Sequence, residues 1–333
     1  MLRDSGFRVA FFGAMSPLAH EVRKHLAEMA FPIRSLHLYD VGEQEGTVTE
    51  YDGEAMLVTQ PDEDLEVDIA YICGEDDPRS PEYLDWAGRT GGVTLDLVGA
   101  SRSRADVPVV HFAVGLDAIR TGCPVLAAPH PIAHPLLTTL HLLGLEFPVR
   151  EASATILRPV SDFGEAGIEE LQRQTVALLS FSEVPKEVFG RQVAFNLFPV
   201  SIHGEEGGAL DAAVRGDVLR VLPSPLSRLD VRILQAPIFY GHSYSMRVVL
   251  DGAPGAEALA EALERPGVVR ISGEEGGRTP AELADESGIW IGEIAPDPAG
   301  TGAYWIWAVS DAIRSGAALN GAHMAARLAE ILG

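Results

Sequence analysis

The sequence predicts an α/β protein in which a doubly wound parallel sheet is followed by an α+β domain. Three observations carry that expectation. The first third of the chain alternates short apolar runs with amphipathic stretches, the pattern of strand–helix–strand units around a parallel sheet. Its first run ends at a glycine that opens a strand-to-helix turn, Phe12-Gly13. From about Pro129 helices and strands come in blocks, which suits an α+β layer.

In chain order, Phe7–Phe12 is a short, mostly apolar run, as a buried parallel strand is. Pro17 to Ala30 follows as a helix, with Leu18, Val22, Leu26 and Met29 on one face and Pro17 suited to its first turn. Ser35–Asp40, Asp68–Cys73 (before Gly74), Gly92–Leu97, Pro108–Phe112 and Cys123–Ala127 read as further strands. Beyond them, Leu136–Leu143 reads as a short helix that Gly144 ends. Ala152–Val160 is a strand. Gly167–Leu179 and Ala209–Leu222 are helices, the first with Glu169 and Glu170 where the dipole favours acid. Asp230–Ala236, Tyr244–Leu250, Gly288–Ile294 and Ala303–Val309 are strands, and Asp311–Leu332 is one long final helix.

Composition narrows the function. The 333 residues carry 48 acidic and 25 basic side chains, a formal net charge of −23. So acidic a chain repels duplex nucleic acid and anionic membrane, which gives the expectation of neither as partner. Two cysteines, Cys73 and Cys123, are too few for a disulfide framework or a cysteine zinc site. There is no apolar run of membrane-spanning length, and the first residues show no leader pattern. The expected location is the cytoplasm.

Four places in the sequence hold residues with chemical potential. The turn Gly13-Ala14-Met15-Ser16-Pro17-Leu18-Ala19 stands where a dinucleotide fold holds pyrophosphate on backbone N–H groups. Only the first glycine is present, and Pro17 removes a donor. Two readings stand: a weak phosphate cradle, or a turn of that shape that no longer binds. Asp40 ends the second strand, where a carboxylate takes a ribose 2′-hydroxyl and repels a 2′-phosphate, or simply sits solvated. His130 and His134 have HxxxH spacing, which on a helix puts two imidazoles on one face, but the glutamate of a hydrolytic zinc motif is missing. No metal site is expected. His242, in Phe239-Tyr240-Gly241-His242-Ser243, is a candidate general base.

Several of these segments occur together in a familiar order. Ile168-Glu169-Glu170-Leu171, Phe189 to Asn196, Phe239 to Ser243, and Gly316-Ala317-Ala318-Leu319-Asn320 follow the Gly13 turn and the Asp96…Arg102…Val107–Val110 stretch. Together they resemble aspartate-β-semialdehyde dehydrogenase, end to end, and most closely its Usg-type branch, whose members lack the catalytic set. The resemblance implies a Rossmann-type domain over 1–128 that binds NADP or NAD, and a dimerisation domain over 129–310. It also implies a C-terminal helix over 311–333 that returns to the first domain. The implied partner is a second copy of the chain, and the implied ligand a small anion. The family reaction is nucleophilic: a cysteine thiolate attacks the aldehyde, a histidine takes the proton, hydride passes to NADP and phosphate releases an acyl phosphate.

Carried over by resemblance, the catalytic histidine is His242 and the phosphate-binding arginine is Arg102. The nucleophile motif falls on Ala127-Ala128-Pro129-His130-Pro131-Ile132, which puts Pro131 in the cysteine slot. The arginine that clamps the substrate carboxylate becomes Gln235, and the glutamine that holds substrate becomes Arg158. The lysine and glutamate near the phosphate and amine fall near Ala213 and Leu210. Gly13, Met15, Ser16, Leu18, Asp40, Gly74 and Gly316 are the implied cofactor positions, and the nicotinamide asparagine becomes Ala312. Cys123 lies eight residues before Pro131, on the order of 20 Å along an extended strand. Cys73 ends a strand facing the expected cofactor crevice, yet both sulfurs read best as small core residues.

The expected function is therefore that of a dehydrogenase homologue without dehydrogenase activity, in a binding, regulatory or structural role. The alternatives are an active NADP-dependent aspartate-semialdehyde dehydrogenase and an enzyme repurposed around His130, His134 and His242. Tyr304–Trp307 and Phe195–Pro199 concentrate aromatic bulk that serves either a dimer interface or the domain's own core.

Overall fold

The computed structural model describes residues 6–41, 44–61, 65–74, 80–102, 104–114, 123–203, 205–222, 226–272, 278–283 and 286–332. The chain forms two compact units, one of residues 1–134, 220–223 and 313–333 and one of 135–219 and 224–312.

Unit 1 is built on a five-stranded parallel sheet. Its strands are β1 (Phe7–Phe12), β2 (Ile33–Tyr39), β5 (Ile69–Ile72), β6 (Val93–Asp96) and β7 (Val125–Ala127), in the order β2-β1-β5-β6-β7. β1 is an interior strand, paired on both sides, which explains the apolar run Val9–Phe12. Val9 and Phe11 enter one core with Leu18, Val22 and Leu26 of α1 (Pro17–Glu28) and with Ala322, Met324 and Leu328 of the terminal helix Leu319–Leu332. Ala10 and Phe12 enter a second core, on the other face, with Tyr83 and Ala87 of α2 (Ser80–Arg89). Helices thus cover both faces of a parallel sheet, as a doubly wound fold requires.

Two short strands, β3 (Val48–Tyr51) and β4 (Glu54–Leu57), form an antiparallel hairpin beside this sheet. Their two-residue turn is Asp52-Gly53, with φ of 50° and 79°. Both are positive, as the hairpin turn matching strand twist needs.

Unit 2 is a seven-stranded mixed sheet. Its strands are β8 (Val149–Arg158), β9 (Phe198–Pro199), β10 (Arg228–Gln235), β11 (His242–Leu250), β12 (Val269–Ile271), β13 (Ile289–Pro296) and β14 (Ala303–Ser310), in the order β12-β13-β14-β11-β8-β10-β9. Its helices are α3 (Ala133–Glu146, entered from unit 1), α4 (Gly164–Leu179), α5 (Glu205–Val221) and α6 (Ala256–Leu263). Along β11 the side chains of His242, Tyr244, Met246, Val248 and Leu250 are buried, while Ser245, Arg247 and Val249 are half-buried. The sheet therefore has one dry face and one more open face.

The structure departs from three local expectations. Gly144 does not end a helix: α3 runs through it to Glu146, because a glycine with ordinary φ only weakens a helix. The terminal segment is not one α-helix from Asp311: Ala312–Ala318 is a π-helical stretch, and α7 (Leu319–Leu332) follows it. Pro108–Phe112 makes only isolated bridges, Val109 to Ala127 and His111 to Val114, in place of a strand.

Candidate functional site

Unit 2 gathers three of the candidates at one end of its sheet. The parallel strands β8 and β10 finish there, at the paired residues Arg158 and Gln235. The antiparallel strand β11 begins there, and its Ser243 pairs with Leu157, so His242 starts beside Arg158. A residue that the sequence did not single out completes the group. The 3₁₀ turn Val160–Phe163 after β8 brings Asp162 back to the strand ends. Arg158 Nε donates to Asp162 Oδ2 at 2.7 Å, and His242 Nε2 lies 3.1 Å from the same oxygen. The Arg158 guanidinium also stacks 4.4 Å over the Phe163 ring.

This cluster is nearly dry, with side-chain exposures of 20% for Arg158, 14% for Asp162 and 2% for His242. Burial alone would raise the Asp162 pKa. The His242 and Arg158 charges and hydrogen bonds outweigh it and hold the carboxyl well below the usual range. Asp162 is thus an ionised acceptor at neutral pH. It accepts from His242 Nε2–H, an assignment that follows from the acceptor-only carboxylate, and so orients the ring. The Tyr244 ring lies tilted beside that of His242, centroids 6.3 Å apart, and burial, then Asp162 and Asp311, keeps its phenol neutral far into alkali.

Gln235 is fully buried. Its amide nitrogen donates to the Arg158 and Ala236 carbonyls at 3.1 and 3.2 Å, and its Oε1 has no hydrogen-bond partner. Neither Gln235 nor Arg158 resembles a free charged fork: one amide is turned into the backbone, and one guanidinium is paired with Asp162.

The motif residue Glu170, and Gln174 one helical turn on, also lie in unit 2, fully buried, and they are structural. Glu170 accepts from Val188 and Phe189 N–H at 2.6 and 3.2 Å. Gln174 donates to the Pro185 and Arg191 carbonyls and accepts from Val193 and Ala194. Together they pin the 185–194 loop to α4.

Unit 1 holds the other candidates. Gly13 has φ of 76°, and a Cβ there would lie 2.5 Å from Gly74 N, so the β1 and β5 turns touch where only glycine fits. Asp40 is 4% exposed and is not solvated. Its carboxylate accepts from Met15 N–H at 3.1 Å, Val41 N–H at 3.0 Å and Tyr83 O–H at 3.1 Å. Ser16 caps α1, its hydroxyl accepting from Ala19 N–H at 3.1 Å, and Leu18 is buried in the core. After β6, Asp96 accepts from Gly99, Ala100 and Ser101 N–H, and so shapes the loop that presents Arg102. The Arg102 guanidinium lies against Gly99 and close to the Ala128 carbonyl, 3.5 Å from its Nη2.

His130 and His134 do not share a helical face, because α3 starts at Ala133, after His130. His130 Nδ1 accepts from Ile132 N–H at 3.2 Å. His134 is 1% exposed, its ring 5.1 Å from that of His111, and neither of its nitrogens makes a well-formed hydrogen bond. Burial, with Arg102 next, pushes its pKa down to about 3, opposed weakly by the Pro129 carbonyl. Gly316 lies in the π-helical stretch, where a Cβ would meet the Pro131 carbonyl at 3.1 Å and the His134 ring at 3.3 Å. Asn320 accepts from Phe112 N–H at 2.7 Å and is fully buried. Cys73 is fully buried in the core cluster that contains Phe11 and Tyr71, so it faces no crevice, and Cys123 packs against the same cluster.

Among the described residues no group of three or more His, Cys, Asp or Glu is disposed to hold a metal ion, and no helix is long and apolar enough to cross a membrane.

Comparison with known proteins adds to this geometry. Residues 143–315 match the family model described as semialdehyde dehydrogenase, dimerisation domain. An aspartate-semialdehyde dehydrogenase of Rickettsia bellii is 27% identical, with 97% of each chain covered. A USG-1 protein homolog of Pseudomonas aeruginosa is 28% identical, with 94% of each chain covered. In fold, the crystal structure of aspartate semialdehyde dehydrogenase II complexed with ASA, from Vibrio cholerae, superposes with a TM-score of 0.86 at 24% identity, over 98% of this chain and 99% of that one.

Proposed function

The chain belongs to the semialdehyde dehydrogenase family, and on that premise we propose that it has given up the family's oxidation and acts as a cytoplasmic binding or regulatory homodimer. The observation that carries the reading is Pro131 in the slot where the family has its cysteine. A proline has no sulfur, no N–H and no proton to give. The two thiols of the chain are packed as core residues, Cys73 fully buried and Cys123 against the same cluster. His242 retains its place, but its Nε2 is held by Asp162. The clamp position, Gln235, carries no charge.

Dimerisation is supported by apolar side chains that unit 2 leaves in solvent. Phe195, Leu197 and Trp305 are 69%, 52% and 42% exposed. Trp305 lies on the open face of the sheet, whereas Tyr304 and Ile306 point into the core. Such exposed aromatics are the usual centre of an isologous interface.

The test is an assay of the purified full chain with aspartate semialdehyde, phosphate and NADP, read as NADPH formation. The expected result is no turnover above the uncatalysed background. Turnover in the ordinary enzyme range, about 1–10³ per second, overturns the reading.

A second reading rests on the Asp162–His242 pair. A carboxylate-held imidazole is an arrangement for proton transfer without a covalent step. His130 and His134, by contrast, are occupied with unit 1's own packing. A turnover reaction with one titrating base that disappears in His242→Asn, in a chain silent toward aspartate semialdehyde, is the result that favours it.

A further inference from the structure

The fold family implies a dinucleotide on the first turn of unit 1, and the donors of that turn do not fit one. A phosphate at a helix N-terminus is held by backbone N–H groups that have no other partner. Here Gly13 and Ala14 both donate to the Tyr39 carbonyl, at 3.0 and 3.1 Å. Met15 donates to Asp40 Oδ2, Ser16 to the Gly13 carbonyl, Ala19 to Ser16 Oγ and His20 to the Ser16 carbonyl. Pro17 has no donor. Among the described bonds only Leu18 N–H is left outward on the turn that would cradle pyrophosphate; its other N–H groups are turned inward.

The Asp40 carboxylate explains why. An acid at the end of β2 ordinarily reaches outward to a ribose hydroxyl. This one is 96% removed from solvent, being 4% exposed, and at least three of its roughly four lone-pair sites accept from Met15, Val41 and Tyr83. Tyr83 is itself fully buried, and its ring packs against Phe12 and Trp86, so the donor on α2 is fixed in place. The carboxylate cannot swing out to a ribose without leaving the Tyr83 hydroxyl behind in a dry core and breaking its bond from the half-buried Met15 amide. While it stays, its charge repels a phosphate brought to the same turn.

We infer that Asp40, held to the Gly13–Ala19 turn through Met15 N–H, takes the place of the cofactor phosphate as the anion at that turn, and that the chain binds neither NADP nor NAD there. The inference is independent of Pro131 and of the unit 2 cluster, because it concerns binding and not turnover.

Calorimetric titration of the full chain with NADP, and separately with NAD, tests it, alongside Asp40→Ala and Asp40→Asn proteins checked for folding by thermal melting. The wild type is expected to bind neither, with any Kd weaker than about 1 mM. Asp40→Ala, which frees Met15 N–H and removes the charge, is expected to gain at least about tenfold in affinity for NADP or NAD. A wild-type Kd at or below that limit overturns the inference even where no turnover is seen, which leaves the proposed function standing. A silent wild type whose folded Asp40 variants are equally silent overturns the role given to Asp40. Should Asp40→Ala not fold, the wild-type titration and the Asp40→Asn titration decide in the same way. Amide exchange of Met15 supplies a ligand-free reading: protection is expected in the wild type, and fast exchange contradicts the inward bond.

Discussion

Each unit closes the end of its sheet with a buried aspartate, and the two aspartates are surrounded by opposite kinds of donor. In unit 1, Asp40 accepts from two backbone amides and a phenol, all neutral. In unit 2, Asp162 accepts from a guanidinium and an imidazole. A histidine sharpens the contrast. His134 is buried as completely as His242 but has no carboxylate, so burial drives its pKa down to about 3. What a buried titratable group does depends on its partner more than on its depth. Neutral donors make a brace, and charged donors make a coupled cluster able to hold a proton at a chosen atom.

The largest effect is expected from removing the carboxylate of that cluster. Asp162→Ala leaves Arg158 and His242 facing each other without a counter-charge, and breaking such a buried pair costs about 3–5 kcal/mol. Denaturant unfolding near pH 7 measures it, and a loss under about 1 kcal/mol would make the cluster no different from a surface pair. The pH dependence has a definite sign. The Asp162 pKa is depressed in the folded chain, so its contribution is complete above the ordinary carboxylate value of 3.8 and is lost as pH falls through the depressed value. The gap between wild type and variant is therefore expected to narrow as pH falls below the ordinary carboxylate value.

A smaller effect, of different shape, is expected at His134. Its folded pKa of about 3 lies below the ordinary 6.5, so the unfolded chain takes up a proton that the folded one refuses. Stability from this residue is complete above pH 6.5 and is lost as pH falls toward 3, by at most about 1.4 kcal/mol per pH unit. His134→Leu, close in volume, is expected to flatten the fall in stability between pH 6 and 4. An unchanged slope would mean that some other group takes up that proton.

The contrast between the two regions also marks what could be read in advance. The sheet of unit 1 was legible because β1 is mostly apolar and ends at a glycine, both local properties. The β3–β4 hairpin went unread although Asp52-Gly53 is a strong turn signal, since its flanking strands are mostly exposed and lack an apolar alternation. His242, Arg158 and Gln235 were found by resemblance, and the sheet brings them to one end. Asp162 was not found, because its partner on β11 lies 80 positions away and only the pairing of β8 with β11 joins them. Asp40 was expected to face a ribose or solvent, and its carboxylate is buried instead. Position along a strand is written in the sequence, whereas the direction a side chain takes depends on Tyr83, a donor from a helix that the sequence reading passed over.

The smallest expected effect is at that donor. Tyr83→Phe keeps the ring that packs on Phe12 and Trp86 and removes only the hydroxyl that donates to Asp40 Oδ1 at 3.1 Å. Oδ1 still accepts from Val41 N–H, and Oδ2 from Met15 N–H. The loss is thus of one hydrogen bond to a charged group that remains solvated by its neighbours, about 1–2 kcal/mol by denaturant unfolding. A loss as large as that of Asp162→Ala would erase the distinction between the neutral brace and the charged cluster. So would a loss of zero, since a carboxylate indifferent to its phenol is not held by it. Between those limits the two aspartates differ as their donors do, and the turn at Gly13 is closed by the weaker but more numerous set.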